Sequence, residues 1–230
     1  ILFTFLFIQT IQLNAENRTF VVTTDSWPPF RIHEKNTYSG IDFDLWNELA
    51  KRLDLTIKFE RSSWPRSLLN MKSGIVDGMS GLAKTQERAA YIEYTSPSYF
   101  KCSTVFYVKK DYSFLVNNYE DLKRFNVGYV SKSAYFSQFD NDTELTKSPL
   151  TTETQLIQML VKNRIQIFIG TDCQADYEIS KLGFSKQIEK ANYRPQNSVD
   201  LYIGISKKSP FIKDIKKINQ TIQQIIDEQK

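Results

Sequence analysis

Histidine, cysteine and unbroken hydrophobic sequence are scarce in this chain of 230 residues. His33 is the only histidine, and Cys102 and Cys173 are the only cysteines. A structural zinc centre asks for about four Cys or His ligands, so no metal site is expected, and no other cofactor is called for. The one histidine lies in the polar stretch RIHEKNTYSG, where exposure is expected, and no nucleophile–base pair is visible. Eight glycines and seven prolines are too few for a collagen-like or low-complexity chain. The 30 basic residues are interleaved with 26 acidic ones, which leaves a net charge of +4 and no basic run. That pattern describes a mixed, solvated surface and excludes a nucleic-acid footprint. No apolar run reaches the roughly 20 residues that a membrane-spanning helix needs.

What is present suits a globular protein. The chain is 41% hydrophobic and 24% charged, enough for one large domain or two of about a hundred residues each. Residues 1–15, ILFTFLFIQTIQLNA, carry no charge. They read as the remnant of a secretory signal with a cut after Ala15. The alternative is a buried first strand or helix. The chain has neither Met nor a basic segment before this run, so it is expected to begin inside the signal. No Cys stands near the cut, so the expectation is a free protein in a Gram-negative periplasm. An exported chain with two Cys can hold one disulfide; the sequence leaves pairing and two free buried thiols equally open.

Periodicity then divides the chain. Thr19–Thr24 reads as a strand, followed by the breaker Asp25-Ser26-Trp27-Pro28-Pro29. Leu45, Trp46, Leu49, Ala50 and Leu53 form one helical stripe, with Asp42 and Asp44 in the first turn, where the helix dipole favours acids. Residues 56–60 read as a strand, 64–72 as a helix ended by Gly74, and 75–79 as a strand. This β-α-β-α-β order implies a parallel sheet flanked by helices. The theme repeats with a strand at 126–131, helices at 133–139 and 154–163, an apolar strand at 165–169, and a helix from Asp172 closed by Gly183. Extended runs at 103–108 and 199–206 join the two units as a two-strand crossing. A final helix from Pro210 has Phe211, Ile215, Ile218, Ile222 and Ile225 at helical spacing and returns to cover the first unit.

In open parallel sheets ligands bind beyond the carboxyl ends of the strands. Asp25 and Trp27 follow the first strand; Ser80, Thr85 and Arg88 follow the third; Thr171 and Asp172 follow the apolar strand of the second unit. A helix start at Ser133 and Ala134 offers free N–H groups to an anion. Arg88 can grip a carboxylate through two parallel hydrogen bonds. Trp27 and Trp64 can wall a side chain. Against this, Asp25 and Asp172 can simply cap turns, the tryptophans can be core, and Arg66 can point into solvent.

TTDSWPPF, GIDFDLWNELAKRL and IVDGMSGLAKTQERAAYIEYTSPSYF together resemble the periplasmic amino-acid-binding proteins of ABC importers, of the histidine-, glutamine- and arginine-binding type. The likeness covers the chain from about residue 17 to its end. It implies an α/β, two-lobed periplasmic-binding-protein fold (type II), each lobe a mostly parallel sheet flanked by helices, with a two-strand hinge. Lobe 1 is expected at 16–104 and 200–230, and lobe 2 at 105–199. The resemblance implies that Arg88 binds an α-carboxylate, with Ser80, Ala83 and Thr85 around it. Trp27 and Trp64 line the pocket, and Ser133 and Ala134 add donors from the second lobe. Lys132 stands where the family usually has Gly. The usual aspartate for the α-amino group falls at Thr171, and Asp172 comes one residue later, so either residue can face the ligand.

The function implied is a monomeric receptor, not an enzyme, that closes on an amino acid or small carboxylate and delivers it to an inner-membrane ABC permease. Two alternatives share the fold. One is an extracytoplasmic sensor module. The other is a dehydratase, for which Glu87, Glu93 and Asp172 stand as candidate acids.

Overall fold

The computed structural model describes residues 18–35 and 37–228; the expected leader, residues 1–15, lies outside them. Strand β1 (Thr19–Thr24) leads through the short hairpin β2 (Ile32–Glu34) and β3 (Thr37–Ser39) into helix α1 (Ile41–Leu53) and β4 (Thr56–Arg61). Helix α2 (Trp64–Ser73), β5 (Gly78–Leu82), α3 (Gln86–Ala89) and β6 (Ile92–Tyr94) follow, then the long strand β7 (Phe100–Lys109). The second unit comprises β8 (Val127–Val130), α4 (Ser137–Asn141), β9 (Lys147–Leu150), α5 (Glu153–Val161), β10 (Ile167–Thr171), α6 (Asp172–Lys181) and β11 (Ile188–Lys190). The chain ends with β12 (Ser198–Ser206), a 3₁₀ turn at Pro210–Asp214, and α7 (Ile215–Glu228).

One curled mixed sheet runs in the order β4-β1-β5-β12-β7-β10-β8-β9. Within it β4, β1 and β5 are parallel, as are β10, β8 and β9, while β12 and β7 join the two trios in antiparallel pairings. The joint is built by division of labour along each strand. Residues 198–201 of β12 pair with 100–103 of β7, whereas the rest of β12 pairs with β5 and β6 and the rest of β7 with β10. The two extended runs of the sequence are therefore the connection between two lobes.

The core separates accordingly. Phe20, Val22, Trp46, Leu49, Ile203, Ile205, Phe211, Ile218, Ile222 and Ile225 pack α1 and α7 on one trio. Val105, Tyr107, Leu156, Ile157, Leu160, Phe168, Ala175 and Ile179 pack α5 and α6 on the other. The heptad-like spacing of the last helix thus buries the face that its isoleucines mark. Phe30, Cys102, Val199 and Leu201 form a small cluster at the joint. Cys102 and Cys173 are paired in a disulfide there, with Cα atoms 5.6 Å apart.

Several expected boundaries move. The third strand begins at Gly78 and not at 75, and Ile75 is exposed, because residues 75–77 form a turn whose Asp77 accepts from the Val21 and Ser209 side of the sheet. No helix starts at Ser133; α4 begins at Ser137, and the Ser133 N–H closes a turn on the Val130 carbonyl at 3.0 Å. The strand β9 was not anticipated. His33 is half-buried rather than exposed, stacked edge-on to Tyr38 and tilted against Phe43. Burial lowers its pKa, and the nearby Arg61 adds to this.

Candidate functional site

The carboxyl ends of six strands, the three mutually parallel strands of each trio, surround one cavity of about 510 Å³. Asp25 and Trp27 follow β1, Ser62 to Trp64 follow β4, and Ala83 follows β5; Val130 ends β8, Thr151 to Thr154 follow β9, and Thr171 ends β10. The volume falls in the usual range for small-molecule sites, about 300–1,000 Å³. Among the described residues, no helix is long and apolar enough to cross a membrane.

Of the residues expected to meet, Arg88, Asp25, Trp27, Trp64, Ala83, Ser133, Ala134 and Thr171 line this cavity. Arg88 is 5% exposed. Thr85 caps α3 by accepting the Arg88 N–H, which aims the Arg88 side chain. Its guanidinium then donates to the Ala83 carbonyl (2.9 Å) and to the Lys132 carbonyl (2.6 Å), and it lies over the Trp64 ring at 5.4 Å. The Tyr94 side chain is a further hydrogen-bond partner of the guanidinium, and among the described residues no carboxylate forms an ion pair with it. Burial pushes its pKa down from the usual guanidinium value. Trp64 Nε1 also donates to the Lys132 carbonyl, at 3.1 Å.

Three expected residues sit elsewhere. Ser80 lies inside β5, 3% exposed, where its hydroxyl donates to Asp42 and accepts from Trp46 Nε1. Its side chain follows the alternation of the strand toward α1 and away from the cavity. Thr85 acts as the cap just described. Asp172 opens α6, and its Oδ1 accepts the N–H groups of Ser103 and Cys173 at 2.8 Å each, which fastens α6 to β7. Thr171, one residue earlier, is the residue at the cavity wall.

Asp25 faces the cavity but is already paired. Arg31, absent from the expected set, donates to Asp25 at 2.7 and 3.0 Å, to Asp42 at 2.7 Å and to the Ser80 carbonyl at 3.1 Å. Burial works against its charge, but Asp25 and then Asp42 outweigh it and raise its pKa. Arg31 also supports the Trp27 ring from 4.9 Å, and Trp27 stacks on Phe30 at 4.4 Å. Gly81, at φ +74°, lets the chain pass under that indole, because a Cβ there would meet it at 3.0 Å. Other lining residues not anticipated include Arg61, Glu153, Gln174 and Glu178. A strand at 147–150 would have announced Glu153. The T-x-x-Q signature was also available: Thr152 accepts the Gln155 N–H while Gln155 Oε1 accepts the Thr151 N–H.

The family model of bacterial extracellular solute-binding proteins, family 3, matches residues 20–230. The chain belongs to this family. A probable histidine-binding protein of Campylobacter jejuni is 22% identical to it over 161 residues, 66% of this chain and 63% of that protein. The ABC transporter arginine-binding protein 1 of Escherichia coli is 30% identical over 116 residues, 50% of this chain and 46% of that protein. The match thus spans under two thirds of the length of these curated relatives. Among solved structures, an arginine-bound, truncated ArgBP from T. maritima superposes with a TM-score of 0.76 at 21% identity, covering 90% of this chain and 96% of that one. The fold of this family 3 chain is therefore that of the periplasmic binding proteins.

Proposed function

We propose that this family 3 chain is an amino-acid receptor of an ABC importer, and that Arg88 holds the carboxylate of its ligand. The observation that carries the reading is the state of Arg88: a buried guanidinium at the cavity wall, held by two backbone carbonyls and the Tyr94 side chain, with no carboxylate paired to it among the described residues. Such a cation is satisfied by an anion that enters from outside, and a carboxylate matches its fork. Trp27 and Trp64 give the ligand two aromatic walls, and the Ser133 hydroxyl, the Ala134 N–H and Thr171 supply polar contacts from the opposite lobe. Thr171, and not Asp172, faces the ligand. Two lobes, 16–104 with 200–230 and 105–199, hinge on β7 and β12. A ligand drives closure because it touches both. The closed monomer then docks on its permease, outside the cytoplasm, in a Gram-negative periplasm. Neither turnover nor a cofactor belongs to this reading.

The test is a thermal melt of protein that has been unfolded and refolded to strip bound ligand, with each of the common L-amino acids and a set of small carboxylates. A ligand at one hundred times its Kd stabilises the fold by about 2.7 kcal/mol. One or a few amino acids should raise the melting temperature by several degrees, and Arg88→Ala should abolish the shift. A shift from carboxylates that lack an amino group, with none from amino acids, would overturn the amino-acid assignment.

A further inference from the structure

Glu153 and Glu178 stand at the cavity wall supplied by α5 and α6, and nothing in the receptor reading above uses them. Glu153 is 3% exposed, and its Oε1 has no hydrogen-bond partner. It is the first residue of α5, yet it does not cap that helix; Thr152 and Gln155 already serve its end. Room for the carboxyl comes from Gly170, where a Cβ would collide with Glu153 Oε1. Glu178 is 6% exposed; its Oε2 accepts from the Thr154 hydroxyl at 2.9 Å, and its other oxygen has no partner among the described residues. Burial first, and then Glu178, push the Glu153 carboxyl up to about 8. No basic side chain is among the influences on it. Two buried acids side by side, one with an orphaned oxygen, form a costly arrangement for a merely structural wall.

We propose that Glu153 and Glu178 form a cation subsite that takes an ammonium or guanidinium group of the ligand. The subsite rests on the receptor reading, since it needs a ligand whose carboxylate lies at Arg88. Such a group brings N–H donors to the orphaned Oε1 and a positive charge to both acids, and so removes the two penalties together. The cation has two chemical sources, the α-ammonium or a basic side chain. Both present the same chemistry to the pair.

The experiment is calorimetric titration of the refolded full chain and of Glu153→Gln, with Glu178→Gln as a second variant. The probes are L-arginine, L-lysine, L-glutamine, N-acetyl-L-arginine and L-glutamate. Glu153→Gln keeps the shape and removes the acid, so the variant should melt no lower than the wild type. The expected result is at least a tenfold loss of affinity in Glu153→Gln for whichever probe binds. If L-glutamine shows that loss, the cation is the α-ammonium; if N-acetyl-L-arginine does, it is the side chain. Unchanged affinity in both variants, while Arg88→Ala still abolishes binding, overturns the subsite and leaves the receptor reading standing. Should no probe bind the wild type, and no amino acid shift its melt, the receptor reading falls and the subsite with it.

Discussion

Arg88 reaches across the cavity to the backbone of Lys132: its Nη2 donates to the Lys132 carbonyl at 2.6 Å, a contact between residues 44 apart in sequence. Trp64 Nε1 donates to the same oxygen. The carbonyl is presented by a turn in which Lys132 holds φ +63°, the left-handed region that favours glycine. One strained backbone unit thus ties the loops after β4 and β5 to the loop after β8.

Replacing Lys132 by Gly should stabilise the protein. An L-residue in the left-handed region costs roughly 1–2 kcal/mol, and glycine returns roughly 0.5–1 kcal/mol of that as unfolded-state entropy. The net gain, up to about 1.5 kcal/mol, amounts to at most about 3–6 °C for a chain of this size. Differential scanning calorimetry of Lys132→Gly reads it; a lower melting temperature would contradict the strain.

Arg31 is held between Asp25 and Asp42 and is 3% exposed. Arg31→Met leaves two carboxylates facing each other without a counter-charge. The expected loss is about 3–5 kcal/mol, seen as a lower urea midpoint with an unchanged slope. A loss below about 1 kcal/mol would mean that the network is solvated and not structural.

The Cys102–Cys173 bridge spans a sequence separation of 71 residues. On the loop-entropy account, opening it should cost about 4 kcal/mol. The double variant Cys102→Ser, Cys173→Ser, unfolded in urea beside the wild type without reductant, measures this. Equal midpoints would show that packing at the joint alone holds β7 to α6.

Glu153 gives the ligand-free protein a pH dependence of definite sign. Its carboxyl titrates near 8 when folded, against an ordinary 4.5 when unfolded. Below 4.5 both states carry the proton, and stability is undiminished. Between 4.5 and 8 only the unfolded state has released it, so stability falls as pH rises, by up to roughly 1.4 kcal/mol per pH unit. Glu178, Tyr107 and Tyr135 are the titratable groups that face Glu153. Glu153→Gln lacks this slope. Urea unfolding of both proteins across that window should show the variant gaining on the wild type as pH rises; a constant difference would refute the buried acid.

Much of the architecture was legible because it is local. β1 and α1 lie where alternation and helical spacing place them, and the isoleucine stripe of α7 is buried as its period demands. Arg88 and its cap Thr85 are three residues apart, so their relationship can be read from the chain. The strand β9 escaped because KSPL carries a proline and little hydrophobicity, and with it went the approach to Glu153. The helix expected at Ser133 failed because Lys132 turns the chain left-handed and delays α4 to Ser137. Asp172 comes one residue after Thr171, in the first turn of α6, where its carboxylate accepts from the Ser103 and Cys173 N–H groups and not from the cavity side.

The sequence by itself determined the alternation of strands and helices, the two-unit plan, the crossing strands and the placement of Arg88 at a strand end, since each depends on residues within a turn or two of one another. Tertiary structure decided the charges that matter. Arg31 neutralises Asp25 across six residues and Asp42 across eleven, Lys132 lends its carbonyl to Arg88, and Glu153 meets Glu178 from the next helix. Those partners come from different strand ends, and only the closing of the sheet around one cavity settles which charge is spent internally and which is left for a ligand.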